Sequence, residues 1–591
     1  MPAVVSTACS SQTVDPRPVA APDARRIVAE GALLGGDDLY ESHSWLGIPY
    51  AAAPVGELRW KAPGPPADWS GERDATRFTP ACTQLASPLG GAADLPMGAV
   101  RGSEDCLSLN VYAPRFSAAN IPKGSGRLPV IVYIHGGSNR SGSGDFYHGG
   151  NLAATQQLIV VTLNYRLGPL GWFYHPALAK TAASPNEASG NFALLDLIAA
   201  LQWLRTNAPA FGGDPNRITI MGESAGANNV LSLLLSPAAR GLFHRAIMQS
   251  ALPGFSSRTQ AATTHENAAE KIMHRLLVAE GKAPTLAAAA SFAKASPPAE
   301  LARFLRSLST KRVIDAYRDN LQGENDARPY YALPTLIQDG RVLPVGDLRK
   351  QLQAGGSATR VPLLIGANRD EENLYLAIDD RYMKRYFGLL PVISEPVFYD
   401  AIGDHLSSAW RILGLHRPAR AIRAVNPRVF AYRFDWDEEP TIFGTDLGLA
   451  LGAAHAFEVP FAFGHFRLGA ADRYMFTGEN LPGRLELSGA MMSYWAQFAR
   501  TGNPGRGSSS ENPQTAWPPY GSDEQVLLLD TPADGGRRVG DAGPLTRDAL
   551  FEAVREDTRL GPDDRRCRVY RRMVEQNRLL QSAELASFGC Q

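Results

Sequence analysis

Gly222-Glu223-Ser224-Ala225-Gly226 sets a serine between two glycines, after the β-branched run Ile218-Thr219-Ile220 and before the apolar stretch Val230 to Leu235. A strand that turns sharply into a helix at a serine is a nucleophile elbow, and its turn pushes the hydroxyl out of the sheet. The helix N-terminus behind it favours negative charge as it develops. Both glycines are needed because a side chain at either position would collide with the turn. A serine hydroxyl is a weak nucleophile until a base takes its proton, and that base is commonly a histidine oriented by a carboxylate.

Elbow enzymes carry these groups in the order serine, acid, histidine. The chain has 11 histidines, so composition selects none of them. His455 lies late in the chain, after Gly452-Ala453-Ala454, small residues that leave room for a ring to approach the elbow. The acid must lie between. Pro362-Leu363-Leu364-Ile365-Gly366-Ala367-Asn368-Arg369-Asp370-Glu371 places two carboxylates just past a buried strand. Catalytic groups in open α/β sheets gather at such carboxyl ends. By spacing alone, Asp370 and Glu371 both qualify.

These groups need a scaffold. Strands are expected at 128–134, 158–165, 218–221, 244–249, 361–365 and 429–434, and a helix over 192–208, where Leu194, Ile198, Leu201 and Leu204 recur at helical spacing. Alternation of strands and helices implies an α/β protein with a mainly parallel central sheet and helices on both faces. Residues 26–60 read as an antiparallel edge hairpin and a Pro-rich loop. Residues 262–330 and 377–425 read as helical insertions over the catalytic edge. The tail reads as two helices, 548–559 and 565–584. This divides the 591 residues into a tail at 1–22, a catalytic domain at 23–545 and a helical extension at 546–591.

Charge is balanced, with 59 basic and 59 acidic residues, which argues against a nucleic-acid or anionic-membrane partner. No apolar run approaches transmembrane length. No metal-ligand cluster or nucleotide loop appears, so no cofactor is expected. Five cysteines leave at least one free or paired between chains. Cys82 and Cys106 flank a Gly/Pro/Ala-rich loop and are either bridged or two buried thiols. The segment 1–14 reads either as the end of an export signal or as a plain tail. On the first reading the protein is secreted or periplasmic, with Cys9 as a lipid anchor if the leader is longer.

The chain resembles the type B carboxylesterases, the family of cholinesterases and bacterial p-nitrobenzyl esterases, from Arg26 to about Asp530. The resemblance is carried by Gly47 to Gly56, Glu104-Asp105-Cys106-Leu107-Ser108-Leu109-Asn110, Asn164-Tyr165-Arg166-Leu167-Gly168, Phe211-Gly212-Gly213-Asp214-Pro215, the elbow, Asn368 to Glu371, His455-Ala456-Phe457 and Tyr494 to Ala499. It implies an α/β-hydrolase fold and a serine esterase acting on a small-molecule ester. Ser224 becomes the nucleophile, His455 the base and Glu371, rather than Asp370, the orienting acid. Glu223 sits beside the nucleophile in a supporting place. Cys82 and Cys106 match the family's first disulfide.

By the same resemblance the oxyanion hole takes backbone N–H groups from Ala225, Gly137 and Ser138, with Gly136 adjacent. The family usually has a third glycine where Ser138 stands, and a glycine where Glu372 stands. A serine Cβ narrows the backbone there, which disfavours bulky or tertiary alcohol esters. Amide, carbamate or thioester hydrolysis on the same triad is the alternative chemistry, and a non-catalytic binding relative the alternative class. Arg140 is either a solvated loop residue or a contact for an anionic acyl group. Trp172, Phe173, Tyr330 and Tyr331 are either pocket wall or core. Cys567 and Cys590, at the ends of one expected helix, would need a chain reversal to pair.

Overall fold

The computed structural model describes residues 15–87, 96, 98–318, 331–354, 360–386, 390–469, 472–508, 514–561, 563–576 and 579–590. Cys9 and Tyr330 lie outside them. The main sheet contains β1 (Val19–Val28), β2 (Gly31–Asp38), β3 (Ser42–Pro49), β4 (Ser108–Pro114), β5 (Leu128–Ile134), β6 (Ile159–Leu163), β7 (Gly213–Glu223), β8 (Arg245–Gln249), β9 (Leu363–Asn368), β10 (Val429–Phe434), β11 (Val526–Leu529) and β12 (Arg538–Gly540). Their spatial order is β1-β2-β3-β4-β6-β5-β7-β8-β9-β10-β11-β12, with Glu72–Asp74 beside β2. From β6 to β11 every pairing is parallel. The pairings at both ends are antiparallel, apart from Glu72–Asp74, which runs parallel to β2. This is the mainly parallel α/β-hydrolase sheet.

The central strands are apolar on both faces because both are covered. Val130, Val132, Ile218 and Ile220 point into one core with helices α1 (Phe192–Asn207) and α2 (Ala225–Leu235). Their neighbours Ile131, Tyr133 and Met221 point into the other, against the helix Leu481–Thr501. The period-two alternation of a strand thus feeds two separate cores.

Residues 262–318 form helices, as expected, at Ala269–Ala279, Leu286–Ala295, Pro298–Ser307 and Thr310–Arg318. Residues 377–425 depart from the expectation. The helix α3 (Pro396–Arg411) is present, but it follows a two-stranded ribbon of Met383–Tyr386 and Leu390–Ile393. Pro391 offers no helical N–H and Val392-Ile393 favour extended backbone.

The tail departs too. Helix α4 (Arg547–Glu556) matches, but the second helix, α5 (Asp563–Glu575), stops short of Glu584. Leu579 has φ 55°, and a capping box at Gln581 and Glu584 opens a separate helical turn, Ser582–Phe588. That reversal brings Cys567 and Cys590 to a Cα separation of 5.4 Å, and they are disulfide-bonded.

Cys82 and Cys106 are also bridged, closing a loop of sequence separation 24, which is worth about 3 kcal/mol on the loop-entropy model. The loop reaches the site. Gln84 exchanges two 2.9 Å hydrogen bonds with the backbone of Gly142, close behind the proposed oxyanion residues.

Candidate active site

Strand β7 ends at Glu223 and α2 begins at Ala225, so Ser224 is the whole turn. Its backbone has φ 56° and ψ −123°, a left-handed conformation that costs a non-glycine residue on the order of 1–3 kcal/mol. The Ser224 N–H donates to the Gln249 carbonyl at 2.9 Å, which ties the turn to β8. A Cβ on Gly222 would strike the backbone of Gly226, and one on Gly226 would strike the Ile134 carbonyl. Both flanking glycines are therefore dictated by close backbone approach.

His455 follows Gly452-Ala453-Ala454 on a loop held by Asp370. The Asp370 Oδ2 accepts the Ala453 N–H at 3.0 Å and pairs with Arg369 at 2.8 Å. Asp370 is thus engaged in docking the histidine loop. Glu371 faces the ring instead. Its Oε2 lies 2.6 Å from His455 Nδ1, and its Oε1 accepts the Asn368 N–H at 2.8 Å. Of the two carboxylates that spacing left open, Glu371 is the one on the imidazole.

The other ring nitrogen, Nε2, lies 3.1 Å from Glu223 Oε1 and makes no hydrogen bond among the described residues. Ser224 and His455 line one cavity without a hydrogen bond between them in this state. A tightened contact on substrate binding is common for such pairs.

Further residues shape the histidine. Trp410 on α3 packs against its ring at a centroid distance of 4.6 Å, and Tyr375 at 5.8 Å. Glu458, three positions after His455 and fully buried, accepts Asn368 Nδ2 at 2.7 Å. Sequence reasoning gave neither Trp410 nor Glu458 a role. For Glu458 the signal was present, a lone carboxylate in the apolar run Ala456-Phe457-Glu458-Val459-Pro460-Phe461. For Trp410 there was none, because an apolar helical face does not reveal what it faces.

Three buried carboxylates around one imidazole have a strong electrostatic consequence. Burial raises Glu223 to about 8, with His455 pulling it down and Glu458 and Glu371 pushing it up. Burial, then Glu371, likewise raises Glu458 to about 7. For His455 burial opposes the charge, but Glu223 and then Glu371 outweigh it and lift the ring from 6.5 to about 9. The cluster sheds its protons in steps that belong to the group. A base works only when unprotonated, and a raised pKa moves that state to higher pH. The acid limb of kcat/KM is therefore expected above pH 6.5, higher than an isolated imidazole would give, and Glu223→Gln is expected to shift it downward. A wild-type limb at or below 6.5, or one unmoved in the variant, would contradict this assignment.

The loop after β5 carries the proposed oxyanion residues. Gly137 has φ 90° and Ser138 φ 56°, so Ser138 occupies a conformation that favours glycine. A Cβ on Gly136 would come 2.7 Å from Glu223 Oε2 and 3.1 Å from Ser224 Cβ, so this backbone passes directly beside Ser224. Among the described residues, no protein acceptor takes the N–H of Gly137, Ser138 or Ala225. The loop is anchored from behind. The Tyr165 hydroxyl donates to the His135 carbonyl at 2.7 Å, and Asn229 donates to Asn139 Oδ1 at 2.8 Å.

The cavity has a volume of about 350 Å³ and is walled by Tyr147, Tyr331, Leu374, Phe457 and Met475, among others. Arg140 and Arg467 also line it, and Arg140 Nη1 donates to the Tyr331 carbonyl at 2.6 Å. Arg140 is accordingly half-buried at the cavity wall. Trp172 and Phe173 are core, with Phe173 stacked on Trp60 at 4.9 Å. No described helix is long and apolar enough to cross a membrane.

Comparison with known proteins identifies the family. A family model described as the carboxylesterase family matches residues 27–387 and 378–542. The para-nitrobenzyl esterase of Bacillus subtilis (strain 168) is 35% identical over 506 residues, which cover 83% of this chain and 91% of that protein. The fumonisin B1 esterase of Sphingopyxis macrogoltabida is 32% identical over 556 residues, 90% of each. A solved PNB esterase structure superposes with a TM-score of 0.66 at 31% identity, covering 88% of this chain and 97% of that one.

Proposed function

From the premise that the chain belongs to the carboxylesterase family and is a serine carboxylesterase, we propose that Ser224, His455 and Glu371 perform its hydrolysis, with Gly137, Ser138 and Ala225 stabilising the oxyanion. Ser224 Oγ attacks the ester carbonyl and His455 takes its proton. The tetrahedral oxyanion meets the three N–H groups, and each such donor typically lowers the barrier by about 2.7–4 kcal/mol. The alcohol leaves with the proton from His455. Water, deprotonated by the same ring, then releases the acid. Glu371 holds the imidazole in the productive tautomer and balances its charge.

The observation that carries this reading is the 2.6 Å contact of Glu371 with His455 Nδ1, which leaves Nε2 in the cavity that Ser224 lines. The cavity's mainly apolar walls favour a substrate with an aliphatic or aromatic acyl chain. We also carry forward a secreted or periplasmic location, supported by two disulfides.

Pre-steady-state hydrolysis of 4-nitrophenyl esters from acetate to dodecanoate tests the mechanism. A burst of nitrophenolate equal to the enzyme concentration, with a fluorophosphonate adduct on the Ser224 peptide, is the expected result. Turnover without adduct, or an adduct on another serine, would overturn it.

A further inference from the structure

We propose that Gln576, in the C-terminal extension, is a positioning residue for the catalytic acid: its hydrogen bond to Glu372 holds the loop that aims Glu371 at His455. The inference rests on the proposed triad. Glu372 is the next residue after Glu371 and is fully buried. A buried carboxylate needs hydrogen-bond donors to offset its lost hydration. Gln576 supplies one, Nε2 donating to Glu372 Oε2 at 2.8 Å, across 204 positions of sequence. The Glu372 backbone N–H donates to Ser407 Oγ on α3 at 3.1 Å. Through side chain and backbone, the residue beside the acid is tied both to the extension and to α3.

Helix α3 links the same parts a second way. Its Trp410 packs on His455, and its other end is gripped by the extension. Asp557 Oδ2 lies 2.9 Å from His405 Nε2, and Arg559 pairs with Asp400 at 2.7 Å and Asp404 at 2.8 Å. Phe551 and Tyr570 share an apolar cluster with Phe398 and Leu406. The Cys567–Cys590 disulfide closes the extension's final reversal onto the first half of α5, the helix that Gln576 follows. The family match ends at residue 542. The acid loop of this chain is thus braced by a segment beyond the part it shares with the family model.

A brace acts on orientation, so its loss appears in kcat rather than KM. Without the Gln576 amide, the Glu372 carboxylate loses its bond to the extension, and any turn of its backbone passes directly to Glu371. Small misplacement of catalytic groups is costly in rate. Gln576→Leu is expected to lower kcat about tenfold, with KM within about twofold and the acid limb of the pH profile displaced. In a Glu372→Ala background the same substitution is expected to change kcat by less than about twofold, because the partner is already gone.

Rates are normalised to fluorophosphonate-titrated sites, so unfolded protein does not enter. An unchanged kcat and pH profile in Gln576→Leu, or an equal loss with and without Glu372, would overturn the proposal and leave Gln576 a structural contact. Failure of the triad itself is read separately, from retained activity in Glu371→Gln.

Discussion

Ser224→Ala is expected to lower kcat/KM on 4-nitrophenyl esters by on the order of 10⁵-fold or more, about 7 kcal/mol of transition-state stabilisation. The substitution deletes one oxygen and little else. Alanine keeps the Cβ, so the turn at φ 56° and ψ −123° carries the same strain in the variant as in the parent. The Ser224 N–H bond to Gln249 and both flanking glycine contacts are backbone features and survive. Melting temperature and KM should therefore stay near those of the parent while turnover vanishes. What remains would reflect oxyanion donors and substrate binding alone. Steady-state kinetics beside thermal denaturation gives both readouts. A loss of less than tenfold would mean that another nucleophile serves the cavity.

Adjacent carboxylates give the second contrast. Glu371→Gln is expected to reduce kcat by about 10³- to 10⁴-fold, because an amide can present its NH₂ to Nδ1 and impose the wrong tautomer on His455. Asp370→Asn should cost stability instead. It weakens the pair with Arg369 and the bond from the Ala453 N–H, for about 2 kcal/mol, with kcat held within tenfold. Denaturant titration and kinetics on the two variants separate the roles. Equal catalytic losses would show that docking of the histidine loop limits the rate as much as the acid contact does.

Much of this was legible in the residues. The elbow glycines, the late histidine among small residues and the carboxylates past a buried strand are local patterns with local causes, since a sharp turn admits no side chain and a parallel strand buried on both faces is apolar throughout. The resemblance to the carboxylesterases then chose Glu371 over Asp370, and in the structure Glu371 Oε2 lies 2.6 Å from His455 Nδ1. Where expectation and structure part, the cause is also local. Pro391 and the β-branched pair after it turned an expected helix into a ribbon, and the last helix ends at Glu575, with a separate turn capped by Gln581 where its second half was expected.

Sequence by itself determined the candidate catalytic groups, their order and the strands that present them, because each depends on neighbours a few positions away. Only the tertiary structure decided what surrounds them. The convergence of Glu223 and Glu458 on His455, the packing of Trp410 on its ring and the reach of Gln576 to Glu372 join residues from separate elements. Such contacts leave no periodicity in the chain. They arise when the packed sheet and helices bring distant segments into one low-dielectric volume, and there charge and orientation are set.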